Sequence, residues 1–526
     1  MTMLSKRFLT AALTAMALLA APVLRAQKAE PRRAISGDMN KIAGPRNMNY
    51  QFCVGAGHGG LLLREANQRQ LELTHREIGF KYIRFHGILH DDMEAYKEVG
   101  GMPVYNWAKI DTVYDAIEHA GMKPFVELSF MPKDLASGKQ TIFWWQGNVT
   151  PPKDFDKWSA FIEAFVRHLQ QRYGDKEVAT WYFEVWNEPN LKYFFTGDQQ
   201  AYFRLYDVTV AAIKKVNPAY RVGGPATAGA GWVPETIAHA QQAGVPLDFV
   251  STHTYGVDGG FLDEKGEDDQ KLSTSPEAIV GDMKAVHKQV SDSAMPKLPI
   301  HFTEWNTSYS SRDPVHDTYV NAAFVLDKIK NSEGLVDSLS YWTYTDLFEE
   351  GGPPPTPFHG GFGLLNREGI RKPTFFAYKY LGKLGPQELV NADRRSWLTR
   401  NGGDFSALVW DFTQPKQDKS DRPYYRQLLP AEEKASVVLK ITSLTPGKYR
   451  LAIHRTGYKA NDAYSRYIEW GRPEKITPEQ IAELEKLTLD TPEKTQIVTI
   501  GGDGVYETKI AMRENDIVFA TLTLRK

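Results

Sequence analysis

The feature that most limits what this chain can fold into is a beat that repeats eight times. A short apolar run is followed each time by an amphipathic stretch of helical spacing. The runs are Tyr50–Val54, Tyr82–Phe85, Pro124–Leu128, Thr180–Trp186, Arg221–Gly223, Asp248–Thr252, Pro299–Thr303 and Ser338–Trp342. The stretches are Glu65–Ile78, Lys109–His119, Asp154–Tyr173, Gln199–Val216, Pro234–Ala243, Pro276–Val290, Asp317–Lys330 and Thr374–Leu384. Short apolar runs read as buried strands, and apolar residues at helical spacing read as one helix face. Asp154 is placed to cap the third stretch, and Gly79, Gly121, Gly174 and Gly244 stand where helices should stop. Eight strands, each followed by a helix, predict an α/β fold of the (β/α)8 TIM-barrel type. The rival, a doubly wound open sheet, usually has fewer strands and often a Gly-rich phosphate turn, which is not found here.

Beyond about residue 388 the helical beat fades. Ser406–Trp410, Ala435–Ile441, Lys448–His454, Thr495–Ile500, Glu507–Ala511 and Ile517–Leu524 read as strands, with turns at Thr445-Pro-Gly447 and Gly501–Gly504 and one charged helix, Thr477–Leu487, among them. This predicts a C-terminal antiparallel β-sandwich over 388–526, after a barrel over 49–387. Residues 27–48 read as a polar N-terminal linker. Lys6 and Arg7 precede the apolar run Phe8–Leu24, the pattern of a signal peptide over 1–26. The expectation is a secreted or periplasmic protein with no membrane partner once the leader is cut. One cysteine, Cys53, permits no intrachain disulfide.

Lys and Arg number 63 against 64 Asp and Glu. That balance argues against nucleic acid, whose phosphates demand a basic face. Neither a His-Glu-x-x-His motif nor a Cys/His cluster of zinc spacing occurs, so no metal and no cofactor is expected. The 12 Trp, 25 Tyr and 26 Phe fit large aromatic cores or a site lined with flat rings. A homo-oligomer is left open.

Barrel chemistry sits on the loops after the strands. The fourth run ends Trp186-Asn187-Glu188-Pro189 and the seventh Thr303-Glu304-Trp305-Asn306. Two carboxylates across one pocket are the equipment of glycoside hydrolysis, one protonated to serve the leaving oxygen and one ionised towards the anomeric carbon. The segments Gly79–Gly87, His90–Met93, Phe143–Pro152, Phe183–Asn190, Thr303–Ser308 and Phe358–Leu364 resemble glycoside hydrolase family 39, the β-xylosidase and α-L-iduronidase family.

The resemblance covers about residues 50–384. It implies a retaining glycosidase with Glu188 as general acid/base and Glu304 as nucleophile, their carboxyl groups ~5–5.5 Å apart. Asn187 is then placed to bond a sugar hydroxyl. Arg84 and His86 share a strand face; Arg84 either holds Glu304 ionised or forms a structural ion pair. His86, His253 and His359 are candidate hydroxyl binders, and Tyr255 a donor to the nucleophile. Trp145, Trp342 and Phe358, with Trp144, Trp305 and Phe362, are candidate sugar-facing rings. Glu127 and Glu184 read as hydrogen bonders inside the barrel. The loops 129–153 and 344–366 are long enough to wall a blind pocket.

The most favoured activity is that of an exo-acting β-xylosidase on a small glycoside or oligosaccharide. An α-L-arabinoside or α-L-iduronide is the alternative; for a uronate, Lys153, Arg312, Arg367 and Arg371 are the cations near barrel-end loops, Arg312 and Arg367 foremost. Gly55-Ala-Gly-His58 departs from the family's frequent Gly-Ala-Gly-Arg, which puts the sugar in further question. A non-catalytic carbohydrate-binding protein is a remoter reading, since both glutamates are present.

Overall fold

The structure, a computed structural model, describes residues 32–525; the leader expected over 1–26 lies outside them. The eightfold beat closes on itself. Strands β1 (Cys53–His58), β2 (Tyr82–His86), β3 (Lys123–Leu128), β4 (Tyr182–Val185), β5 (Arg221–Thr227), β6 (Phe249–Tyr255), β7 (Ile300–Asn306) and β8 (Ser338–Tyr341) form a closed barrel whose neighbours all pair parallel. Around it lie α1 (Glu65–Ile78), α2 (Ala108–His119), α3 (Phe155–Tyr173), α4 (Gln199–Val216), α5 (Val233–Ala243), α6 (Val280–Ser291), α7 (Tyr319–Asn331) and α8 (Pro373–Lys383). Such strands are covered on both faces, which explains their apolar runs; every residue of β7 is buried.

The local signals act as their chemistry requires. The Asp154 carboxylate accepts from the backbone N–H groups of Asp156 and Lys157 at the start of α3. Gly79 (φ 86°) and Gly244 (φ 66°) end α1 and α5 in the left-handed region, where a side chain would be strained. One stripe of α3 is buried (Trp158, Phe161, Ile162, Phe165, Val166, Leu169), each such side chain contributing about 1.5–3 kcal/mol by leaving water. Phe165→Asp would put an unpaired charge into that stripe and break the packing. Cys53 closes one small cluster with Phe125, Tyr182 and Phe249, and burial pushes its thiol up to about 12.

The C-terminal unit is a sandwich of a seven-stranded and a three-stranded sheet, packed through Leu398, Phe405, Leu451 and Leu522 with Ile35, Leu439, Ile441 and Ile510. The segment expected to be an N-terminal linker takes part in it. Arg32–Asp38 pairs parallel with Glu433–Thr442, and Ile42–Pro45 pairs antiparallel with Gln387–Leu389. Only Ile35 and Gly37 of the first strand alternate inward, too short a pattern to read against polar neighbours. The sandwich therefore draws strands from both sides of the barrel, and one of its pairings is parallel. A segment between its strands reaches back to the barrel: Leu272 N–H donates to Asp421 Oδ1 (3.0 Å) and Arg422 pairs with Asp263 (3.0 Å). Among the described residues no helix is long and apolar enough to cross a membrane.

Candidate active site

At the end of β4 the chain leaves the sheet through two left-handed residues, Trp186 (φ 73°) and Glu188 (φ 46°), a region non-glycine residues seldom adopt. Glu188 N–H donates to Ala226 O (2.8 Å) and Trp186 Nε1–H to Phe194 O (2.8 Å), which fixes the turn and carries the Glu188 carboxyl over the barrel mouth. Glu304 stays on β7 in register with His253 of β6. His253 and Tyr255 share one face of β6. His253 Nδ1 stands 2.9 Å from Glu188 Oε1 and 3.6 Å from Glu304 Oε2, and the Tyr255 hydroxyl donates to Glu304 Oε2 at 2.8 Å. One oxygen of Glu188 and one of Glu304 lie within 4.8 Å of each other. The two residues are 8% and 5% exposed.

Arg84 is the hub beneath them. With no exposed surface it donates to Glu304 Oε1 (2.7 Å), Glu184 Oε2 (2.5 Å) and Asn187 Oδ1 (2.9 Å), and it lies 2.8 Å from Glu127 Oε2. A guanidinium with five fixed donors suits this many-sided role. Because Arg84 takes the Asn187 oxygen, the Asn187 amide nitrogen is left for the cavity. Burial opposes charge on His86, but Glu127 at 2.7 Å and Glu350 at 3.6 Å outweigh it and raise the imidazole to about 10. His86 is therefore a cation whose Nδ1–H serves Glu127 and whose Nε2–H faces Glu350. Burial would raise Glu127, yet His86 and Arg84 hold its carboxyl below the usual range. The opposite balance holds at Glu188, pushed well above that range by burial and by the charge of Glu304. His253 is held neutral by burial and by Arg84 and His86.

The mouth encloses a cavity of about 420 Å³ lined by His86, Asn187, Glu188, Tyr255, Glu304 and Trp342 among others. Arg84 is the floor behind it. Trp342 packs its ring 4.8 Å from His86. Several expected sugar contacts are not on the wall. His253, with no exposed surface, meets the two glutamates rather than the cavity. Phe358 points away and packs on Tyr464 and Tyr467 of the C-terminal unit. His359 is pulled down to about 3 by burial, with Asp317 and Lys372 acting in opposite senses, and is not a lining residue. Trp145 stands one layer out, stacked on His58 at 4.6 Å and separated from the cavity by Phe143 and Phe130, which pack on His86 at 5.8 and 6.0 Å. A loop position tells nothing about which way its side chain turns. Trp305 is core and Trp144 is exposed, whereas Phe362 does line the cavity.

The wall also holds residues not expected from the sequence: Glu350, Asp282, Leu191, Phe194 and Tyr309. Glu350 sits on the long 344–366 loop, whose length was the one available signal; burial raises its carboxyl, with His86 opposing. Two donor triples, His86/Glu127/Glu304 and Glu188/His253/Glu304, each bring ligand atoms within 4.8 Å. In the first, both carboxylates already bind Arg84, so a divalent cation would be set beside a fixed guanidinium charge. In the second, burial together with that charge keeps His253 neutral, while burial and the charge of Glu304 incline Glu188 to hold its proton. This donor set fits proton transfer better than metal binding.

A family model described as glycosyl hydrolases family 39 matches residues 34–504. A β-xylosidase of Geobacillus stearothermophilus is 44% identical over 376 residues, covering 70% of this chain and 75% of its own. The crystal structure of a monomeric β-xylosidase from Caulobacter crescentus CB15 is 50% identical, with a TM-score of 0.92 over 94% of this chain and 100% of that one. That of the GH39 enzyme from Xanthomonas axonopodis pv. citri is 49% identical, with a TM-score of 0.93 over 96% and 100%. The likeness runs through barrel and sandwich alike, and it meets a buried carboxyl pair at the ends of β4 and β7: this chain is a glycoside hydrolase belonging to glycosyl hydrolase family 39.

Proposed function

We propose that the protein is an exo-acting, retaining β-xylosidase. The observation that carries the mechanism is that one carboxylate oxygen of Glu188 and one of Glu304 lie within 4.8 Å of each other, too close to leave room for the water of an inverting site. Retaining enzymes hold their carboxyl groups ~5–5.5 Å apart, inverting ones ~6.5–9.5 Å to admit a water. Glu304, fixed at both oxygens by Arg84 and Tyr255, attacks the anomeric carbon. Glu188, kept protonated by burial and by its neighbour's charge, gives its proton to the departing oxygen as that bond breaks. The same carboxylate then takes a proton from water, whose oxygen displaces Glu304 and frees the sugar with its configuration retained. The Asn187 amide donates to the hydroxyl beside the anomeric carbon, a contact that strengthens as charge develops there.

Xylose as the sugar is supported by the β-xylosidase relatives and by the cavity's charge. No Lys or Arg is among its lining residues, while Glu188, Asp282, Glu304 and Glu350 are. A uronate would find only one cation on the wall, His86, already committed to Glu127 and Glu350, because Arg312 and Arg367 are engaged elsewhere, with Gly351 O (2.6 Å) and Glu368 (2.7 Å). The presence of Glu350 and Phe362 from the 344–366 loop on the cavity wall supports a pocket that releases single terminal sugars. The apolar run after Lys6 and Arg7 supports export. A panel of nitrophenyl glycosides tests the sugar: β-xyloside should give the highest kcat/KM, and faster turnover of α-arabinoside or α-iduronide would overturn the assignment.

A further inference from the structure

A second concavity lies where the barrel meets the sandwich. It measures about 470 Å³, within the range of about 300–1,000 Å³ usual for small-molecule sites. Its walls come from the segment leading into α6, from α7, and from the sandwich near Arg394 and Phe412. Six charged residues line it: Lys284, Lys328, Arg394, Arg395, Glu277 and Asp327. Two pairs cancel, since Lys284 meets Glu277 at 2.7 Å and Arg395 meets Asp327 at 3.4 Å. Lys328 and Arg394 remain, and among the described residues neither makes an ion pair.

Lys328 is the unusual one. It is only 3% exposed, yet its ammonium makes a single long hydrogen bond, to Pro276 O at 3.3 Å, and sits 5.1 Å over the Phe324 ring. Lysines are almost never this buried without a partner. An ammonium carries three donors, so those left over have only the groove to face. Burial accordingly depresses its pKa. Phe412, packed edge-on to Phe324 at 5.7 Å, adds a half-buried ring to the same wall.

We propose that this groove is a second ligand site, which takes a small oxyanion-bearing molecule with the anion seated on Lys328 and Arg394. The shared chemistry is that of a carboxylate or phosphate oxygen; a carboxylated sugar would add its apolar face to Phe412. The site is separate from the catalytic cavity, so the proposal stands whichever sugar the enzyme cleaves.

The test is calorimetric titration of the full chain with D-glucuronate, inorganic phosphate and neutral glucose. Glucuronate, phosphate or both should bind and glucose should not; tighter glucuronate would assign the carboxylated sugar, tighter or exclusive phosphate the bare anion. Lys328→Met and the surface change Arg394→Ala should each weaken binding by roughly tenfold or more, while kcat/KM on nitrophenyl β-xyloside stays unchanged. Arg394→Ala keeps the test decisive if Lys328→Met does not fold. Binding of neither anion by the wild type, undiminished binding in the variants, or competition with the xyloside would overturn the proposal.

Discussion

Replacing Glu188 by alanine removes one carboxyl and should leave a distinctive pattern of loss. Glu188 is 8% exposed, and its carboxyl has His253 Nδ1 at 2.9 Å and Glu304 within 4.8 Å. Of the other carboxyls on the wall, Glu304 is the nucleophile, Asp282 accepts from the Thr254 hydroxyl and Glu350 faces His86, so none takes its place. General acid–base assistance is worth about 10²–10⁴-fold, or roughly 2.7–5.5 kcal/mol. That full amount should be lost from kcat/KM for xylosides with poor leaving groups, whose oxygen cannot depart unprotonated. Dinitrophenyl xyloside needs no such help, so its kcat/KM should fall little, while kcat falls because water has lost its base. Azide, small and already anionic, should enter the vacated space and yield β-xylosyl azide. The pH profile carries the same signature. The wild type needs Glu188 protonated, and burial with the charge of Glu304 raises its pKa, so activity persists above the ordinary carboxylate range and is lost as pH rises through the raised value. The variant should lack that alkaline limb. Equal losses for every leaving group, no azide adduct and an unchanged limb would refute the assignment.

Two further outcomes follow from single contacts. Asn187→Ala should lower kcat/KM on xylosides by about 10–100-fold but change hydrolysis of substrates lacking the neighbouring hydroxyl far less, since one charge-developing hydrogen bond is lost; equal losses on both would remove Asn187 from sugar binding. Lys372 is buried between Asp317 and Asp346, each at 2.6 Å, and donates to Gly361 O in the loop that carries Phe362. Lys372→Met leaves two buried carboxylates without their cation and should cost about 3–5 kcal/mol in urea unfolding, with lower kcat/KM in what remains folded; wild-type stability would show the network to be neutral.

What could be read from the sequence followed the physics of each region. The barrel was legible because both faces of a parallel strand are covered, so apolar runs mark it directly. The far ends of β5, β6 and β7 were not, and each of these strands ran three or four residues past its apolar run. Those extensions carry Thr227, His253, Tyr255, Glu304 and Asn306, polar side chains that break the pattern where the chemistry begins. Glu188 and Glu304 stood out through their place at strand ends. Glu350 and Tyr309 did not, since only the folded course of a loop decides what it presents. For the same reason Phe358 and His359 faced away from the cavity that their neighbour Phe362 lines. The strands at 32–45 escaped because their partners lie some 340–400 residues on, beyond the reach of any local pattern.

The central claim is that Glu304 forms a covalent bond to the sugar. A xyloside with a good leaving group, and fluorine in place of the hydroxyl beside the anomeric carbon, slows both chemical steps and lets the intermediate accumulate. Mass spectrometry of the digested enzyme should then find one fluoroxylosyl group, as an ester on the peptide bearing Glu304. A label on any other residue, or no label together with a first-formed product of inverted configuration, would contradict it.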